Sequence, residues 1–179
     1  MFSRILFTFL GILAAAAAPT ERDTETHTIT LVNNCGAGTP LWLYQGADAQ
    51  GSTTITGGPV LGGVAWLDGF AGPGGTCTSS GVNCNDVEFT LTNVGDPGDN
   101  AGDTQNAINY SEQTQGNHVF AYNVDAVYTN GCAGDGPPGA CEGTDSTTCP
   151  GVFTGTDTTD GIVYQCEAQN IGITITFCP

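Results

Sequence analysis

Ile171-Gly172-Ile173-Thr174-Ile175-Thr176-Phe177 alternates apolar residues with small or polar ones along its whole length. A period of two belongs to a strand that turns one side chain inward and the next toward solvent. Thr26-His27-Thr28-Ile29-Thr30-Leu31-Val32 has the same character and is rich in β-branched side chains. Asn33, Asn34 and the glycines after Cys35 stop it, as turn-forming residues should.

Working inward from these two runs, the same signal recurs in short pieces bounded by glycine. Strands are expected at Leu41–Tyr44, Thr53–Thr56, Val64–Leu67, Val87–Thr92, Ala107–Ser111 and Ile162–Cys166. His118–Thr129 reads as one bent strand or two. About nine or ten short strands result, at spacings typical of a β-sandwich or barrel. No stretch keeps a helical period, no repeat is visible, and no linker divides the chain after residue 26. One all-β domain over residues 27–179 is expected.

Composition agrees. The chain has 179 residues, of which 27 are Gly and 9 Pro, yet 39% are hydrophobic, too many for a disordered chain. Asp+Glu is 18 against Lys+Arg 2, a formal net charge of −16. Lysine is absent, and Arg4 and Arg22 lie near the N-terminus. Phosphate-rich partners are bound by releasing counterions from Lys and Arg contacts, so nucleic acid and anionic membrane surfaces are excluded as partners.

Met1–Ala18 reads as a secretory signal peptide: Arg4, then the apolar Ile5–Leu13, then small residues for cleavage before Pro19. The apolar stretch is short of the roughly 20 residues that span a bilayer. A secreted, extracellular protein is therefore expected, with residues 19–26 as a flexible arm. The turn-rich acidic segment Asp96–Asp103 lacks EF-hand spacing and reads as a solvated loop rather than a calcium loop.

The eight cysteines contain no C-x-x-C pair, which makes a structural metal site a poor reading. An even number in an oxidising compartment implies disulfide staples, with many connectivities formally open. There is no adjacent Cys-Cys doublet of the kind expected in a hydrophobin-type film former. His27 and His118 both fall in strand-like runs, where packing is the commoner fate of an imidazole, and no G-x-S-x-G elbow is present. No cofactor motif appears. Asn109-Tyr110-Ser111 is a strict N-glycosylation sequon.

His27-Thr28-Ile29-Thr30-Leu31-Val32-Asn33-Asn34-Cys35 with Gly38-Thr39-Pro40, Val60-Leu61-Gly62-Gly63, Asn83-Cys84, Asn130-Gly131-Cys132 and Ala140-Cys141 resembles small secreted fungal glycopeptides. These in turn resemble the thaumatin and osmotin family, pathogenesis-related group 5. Cys149-Pro150-Gly151-Val152-Phe153 and the closing Ile173–Pro179 are similar to that family's own stretches. The resemblance covers His27 to Pro179 and is partial toward the plant members, whose larger loops and several cysteines are missing.

A thaumatin-like flattened β-sandwich with disulfide-stapled loops is what the resemblance implies. It also implies an acidic cleft associated with β-1,3-glucan binding and weak endoglucanase activity. Val87-Glu88-Phe89-Thr90-Leu91 matches the stretch carrying the cleft glutamate, so Glu88 inherits that place, and Asp157 matches an aspartate after the Cys-Pro-x-x-Phe segment. The cleft arginine has no counterpart between Cys77 and Cys84, and the family's Asp-Gly-Phe-Asn is reduced to Gln115-Gly116-Asn117-His118. The implied disulfides are Cys35–Cys178, Cys77–Cys84, Cys132–Cys166 and Cys141–Cys149. Nearest-neighbour pairing, Cys132–Cys141 with Cys149–Cys166, is the competing map.

Three functions stay open: a non-catalytic binder of a cell-wall polysaccharide such as β-1,3-glucan, an inert wall or matrix protein, and a weak β-1,3-glucan hydrolase using Glu88 with Asp157. Trp42, Tyr44, Trp66 and Tyr128 are candidates for stacking on sugar rings, against the alternative that each packs in the core. The chain is expected to act as a monomer.

Overall fold

The computed structural model describes residues 24–93, 105–156 and 160–179. The signal segment, most of the arm, the acidic loop at 96–103 and Asp157 lie outside them. Eleven strands run in the order β1 (Thr26–Asn33), β2 (Thr39–Leu43), β3 (Thr53–Thr56), β4 (Val60–Asp68), β5 (Ala71–Gly72), β6 (Gly75–Thr76), β7 (Asp86–Leu91), β8 (Asn106–Ser111), β9 (Val124–Thr129), β10 (Tyr164–Cys166) and β11 (Gly172–Phe177). Helical structure among the described residues is confined to two 3₁₀ turns, Ser79–Gly81 and Thr114–Gly116. The fold is all-β. None of its described helices is long and apolar enough to cross a membrane.

Two sheets share one core. The first has the order β3-β1-β11-β9, with β1 and β11 parallel in the register Ile29↔Ile173 to Asn33↔Phe177. The second has the order β10-β8-β7-β4-β2 and is antiparallel throughout; β5 and β6 form a separate small hairpin. Alternation explains what each sheet buries. Ile29, Ile173, Ile175 and Phe177 from the first sheet meet Ala65, Val87, Phe89, Ile108 and Tyr110 from the second in one cluster. Hydrogen bonds also cross it: Ala126 N–H donates to the Tyr110 hydroxyl at 3.2 Å.

The parallel pairing of first and last strands brings Cys35 and Cys178 together, with Cα atoms 5.1 Å apart although 143 positions separate them in sequence. Cys77–Cys84, Cys132–Cys166 and Cys141–Cys149 complete four disulfides, the same set the resemblance implies. No described cysteine is left free. Such sets are commonest in proteins of oxidising compartments.

The strand expected over His118–Thr129 begins only at Val124. Residues before it are held by a side chain instead of a ladder: Asn85 Oδ1 accepts from Ala121 N–H at 3.0 Å and from Tyr122 N–H at 3.3 Å. Likewise Ile162 and Val163 stay outside β10, because Ile162 N–H donates to Gly151 O at 2.8 Å rather than into the sheet.

Candidate functional site

The run Asp86-Val87-Glu88-Phe89-Thr90-Leu91 forms β7, in the interior of the second sheet. Val87, Phe89 and Leu91 face the core, so Asp86, Glu88 and Thr90 lie on the other face. The β8 register sets Ser111, Asn109 and Ala107 opposite those three in turn, and Val64 of β4 stands opposite Glu88 on the other flank.

A bulge in β4 opens the surface here. The β4–β7 register shifts between Val60 and Gly63, and Gly62 takes a φ of +62°, a left-handed conformation suited to glycine. Gly63 matters for space rather than angle. A Cβ there would lie 2.6 Å from the Phe89 ring, so the missing side chain is what lets the ring edge lie against β4. The result is an open groove of about 160 Å³ lined by Gly62, Gly63, Val64, Glu88, Phe89, Thr90, Ala107 and Asn109.

Glu88 is half-buried in this groove, and its Oε2 accepts from Asn109 Nδ2 at 3.0 Å. A carboxylate beside a carboxamide presents acceptor oxygens and N–H donors within one short span. Val64 and Ala107, outward on the same face as Glu88, add apolar flanks. That combination suits a neutral polyhydroxyl ligand.

Asp86 lies two residues from Glu88 on the same strand face but is sealed. It is 1% exposed and sits under the Cys77–Cys84 loop, where a Cβ on Gly81 would lie 2.8 Å from its Oδ2. Burial first, and then the charge of Glu88, push the Asp86 carboxyl well above the usual carboxylate range, against a smaller opposing effect of the Ser111 hydroxyl. A protonated acid beside a second carboxyl is the electrical half of glycosidase chemistry. Access is the other half, and Asp86 has none. Glu88 is the one carboxylate lining the groove among the described residues.

The aromatic candidates need correction. Trp42 is 0% and Trp66 1% exposed, so neither presents a face to a sugar. Each is anchored by its indole N–H, Trp42 to Gly51 O at 2.9 Å and Trp66 to Asp68 Oδ1 at 3.2 Å. Tyr44 is half-buried and stacks on Trp42, ring centroids 5.3 Å apart. Tyr128 is buried, its hydroxyl donating to Tyr164 O at 2.8 Å. It borders a separate hollow of about 440 Å³ with Val127, Ala133, Gly134, Gly136 and the prolines 137 and 138. None of the four lines the Glu88 groove.

Both histidines make internal contacts. His27 is fully buried, with Nδ1 2.7 Å from Ile171 O and Nε2 2.8 Å from Glu25 Oε1. Facing a carbonyl, Nδ1 carries a hydrogen. Glu25 Oε1 also accepts from Asn93 N–H at 2.7 Å, so this network ties the start of β1 to the end of β7. His118 Nδ1 lies 2.9 Å from Gly81 O and 3.4 Å from Asp86 Oδ2, bracing the disulfide loop.

One further acid is unusual. Glu112 is pushed up to about 7, by burial and then by the negative charge of Asp145, beside the Cys141–Cys149 bridge. That cluster and the grouping Cys132, Asp135, Cys166 owe their sulfurs to disulfides, which offer no thiolate to a metal.

No family model matches the chain, and no curated protein or solved structure does.

Proposed function

We propose that this is a secreted, thaumatin-like β-sandwich protein that binds a neutral cell-wall polysaccharide of the β-1,3-glucan class without cleaving it. The Glu88–Asn109 pair in an open groove carries the reading, since hydroxyl-rich chains are held by interleaved acceptors and donors beside apolar surface, here Val64 and Ala107. A net charge of −16 repels anionic polymers and leaves neutral glucans as the favoured wall partner. Four disulfides and the apolar leader Ile5–Leu13 support the extracellular compartment.

Hydrolysis would need a second reachable carboxyl: among the described residues the other acid on this strand face, Asp86, lies sealed beneath its loop, and Asp157 lies outside them. The test is sedimentation with insoluble β-1,3-glucan at two salt concentrations, paired with reducing-sugar release from laminarin. Salt-tolerant co-sedimentation without sugar release supports the reading. Sugar release would make the protein a hydrolase, and absence of binding would make it a matrix protein.

A further inference from the structure

We propose that the outer face of the β3-β1-β11-β9 sheet binds the surface of ice crystals. The observation is a lattice of threonines. On β1, His27 and Ile29 turn inward while Thr26, Thr28 and Thr30 turn out, followed by Val32. On β11, Ile173, Ile175 and Phe177 turn inward while Thr174 and Thr176 turn out. On β3, Thr54 and Thr56 are exposed on either side of the partly buried Ile55.

Register makes this a two-dimensional patch centred on β3 and β1, interrupted toward β9 by Val127 opposite Thr174 and by Gly172 opposite Thr129. Thr54 stands opposite Thr28, Thr56 opposite Thr26, and Thr30 opposite Thr174. The Thr28 and Thr54 hydroxyls lie 3.1 Å apart. Strand geometry spaces such positions about 4.8 Å across neighbouring strands and about 6.7 Å along each one. Those repeats are of the same order as the oxygen spacings on a prism face of hexagonal ice. Each site offers a hydroxyl and a methyl together, and threonine's branched Cβ limits its rotation. The Cys35–Cys178 bridge clamps the two central strands just beyond the array. A surface ordered before contact loses little entropy on binding.

Charge selects the occupant. In a chain with a net charge of −16, the outward positions of these four strands hold a single ionisable side chain, Asp125 on the edge strand β9. An ionic ligand finds nothing to pair with there. No aromatic residue points outward, so the face offers no platform for sugar rings. A neutral, rigid, periodic array of hydroxyls and methyls fits ordered water.

The site is on the first sheet and the Glu88 groove on the second, so the two readings stand or fall separately. The experiment follows the growth and recrystallisation of ice in the presence of the purified protein, with albumin as control. Thr30→Lys and Thr174→Lys fall on the two central strands of the sheet. Thr54→Lys changes an exposed position on the edge strand β3, and Glu88→Gln leaves this face untouched. Circular dichroism and melting establish that each variant is folded. The expected result is crystal shaping and recrystallisation inhibition by the parent and by Glu88→Gln, lost in the central variants and reduced in Thr54→Lys. Ice growth indistinguishable from the albumin control would overturn the proposal. So would inhibition that survives all three lysine substitutions, or threonine-dependent adsorption to crystalline glucan with no effect on ice.

Discussion

Asn109 Nδ2 donates to Glu88 Oε2 at 3.0 Å, from directly opposite it on the β7–β8 ladder. The glycosylation sequon and the glutamate of the groove are therefore one structural unit. An N-glycan would replace one of the two Nδ2 hydrogens and root its first sugar in the groove.

Glycosylation at Asn109 and binding of a wall glucan should compete. Ser111→Ala removes the sequon while keeping the Asn109–Glu88 pair. Chains of the two kinds, sorted by mass spectrometry, should differ in glucan retention, with the unglycosylated one retained more. Equal retention of glycosylated and unglycosylated chains would separate the groove from the ligand.

Gly63→Ala should destabilise the fold by about 1–3 kcal/mol, the usual cost of forcing volume into a packed site. The added Cβ would lie 2.6 Å from the Phe89 ring, which is held in the core below. Urea unfolding measures this, and an unchanged midpoint would show that β4 yields easily at its bulge.

Removing Cys35–Cys178 should cost more than removing Cys77–Cys84. The bridges span 143 and 7 positions. Chain-entropy arithmetic gives about 5 kcal/mol for the longer loop and about 2.5 for the shorter. Paired Cys→Ala variants compared by denaturant unfolding decide it. A larger loss for the short loop would mean that its shielding of Asp86 outweighs loop entropy.

Stability should fall as pH rises through the window set by Glu112. Its ordinary value is 4.5 and the folded protein holds it at about 7. Between those values the native state binds more protons than the unfolded chain, so raising pH favours unfolding. Below the window the penalty is absent, and above it the full penalty applies. Buried Asp86, also raised, acts with the same sign. Glu112→Gln should flatten the decline in urea midpoint between about pH 5 and pH 7.5. A variant with the parent's slope would remove Glu112 as its source.

Much of the fold was legible because it rests on alternation. Ile171–Phe177 and Thr26–Val32 each bury one face, and a period of two leaves little freedom in how they lie. Only the expected Cys35–Cys178 bridge, which follows the end of each run, hinted at their parallel pairing; the register Ile29↔Ile173 could not be read from the sequence. Trp42 and Trp66 show the limit for sites: an indole in an apolar strand reads alike as core or platform until burial is seen. The alternation of Asp86-Val87-Glu88-Phe89-Thr90-Leu91 is itself a clue. It places Asp86 and Glu88 on one face. Asn109 as the partner of Glu88 could come only from the β7–β8 register.

The most direct test is the affinity of the folded protein and of Glu88→Gln for soluble β-1,3-glucan, measured by titration calorimetry. Gln keeps the shape and can still accept from Asn109, so stability should hardly change. A hydrogen bond to a charged group contributes roughly 1.5–3 kcal/mol, so binding should weaken by about tenfold or more. Equal affinity of the two proteins, or no binding by the parent, would contradict the assignment of this groove to glucan.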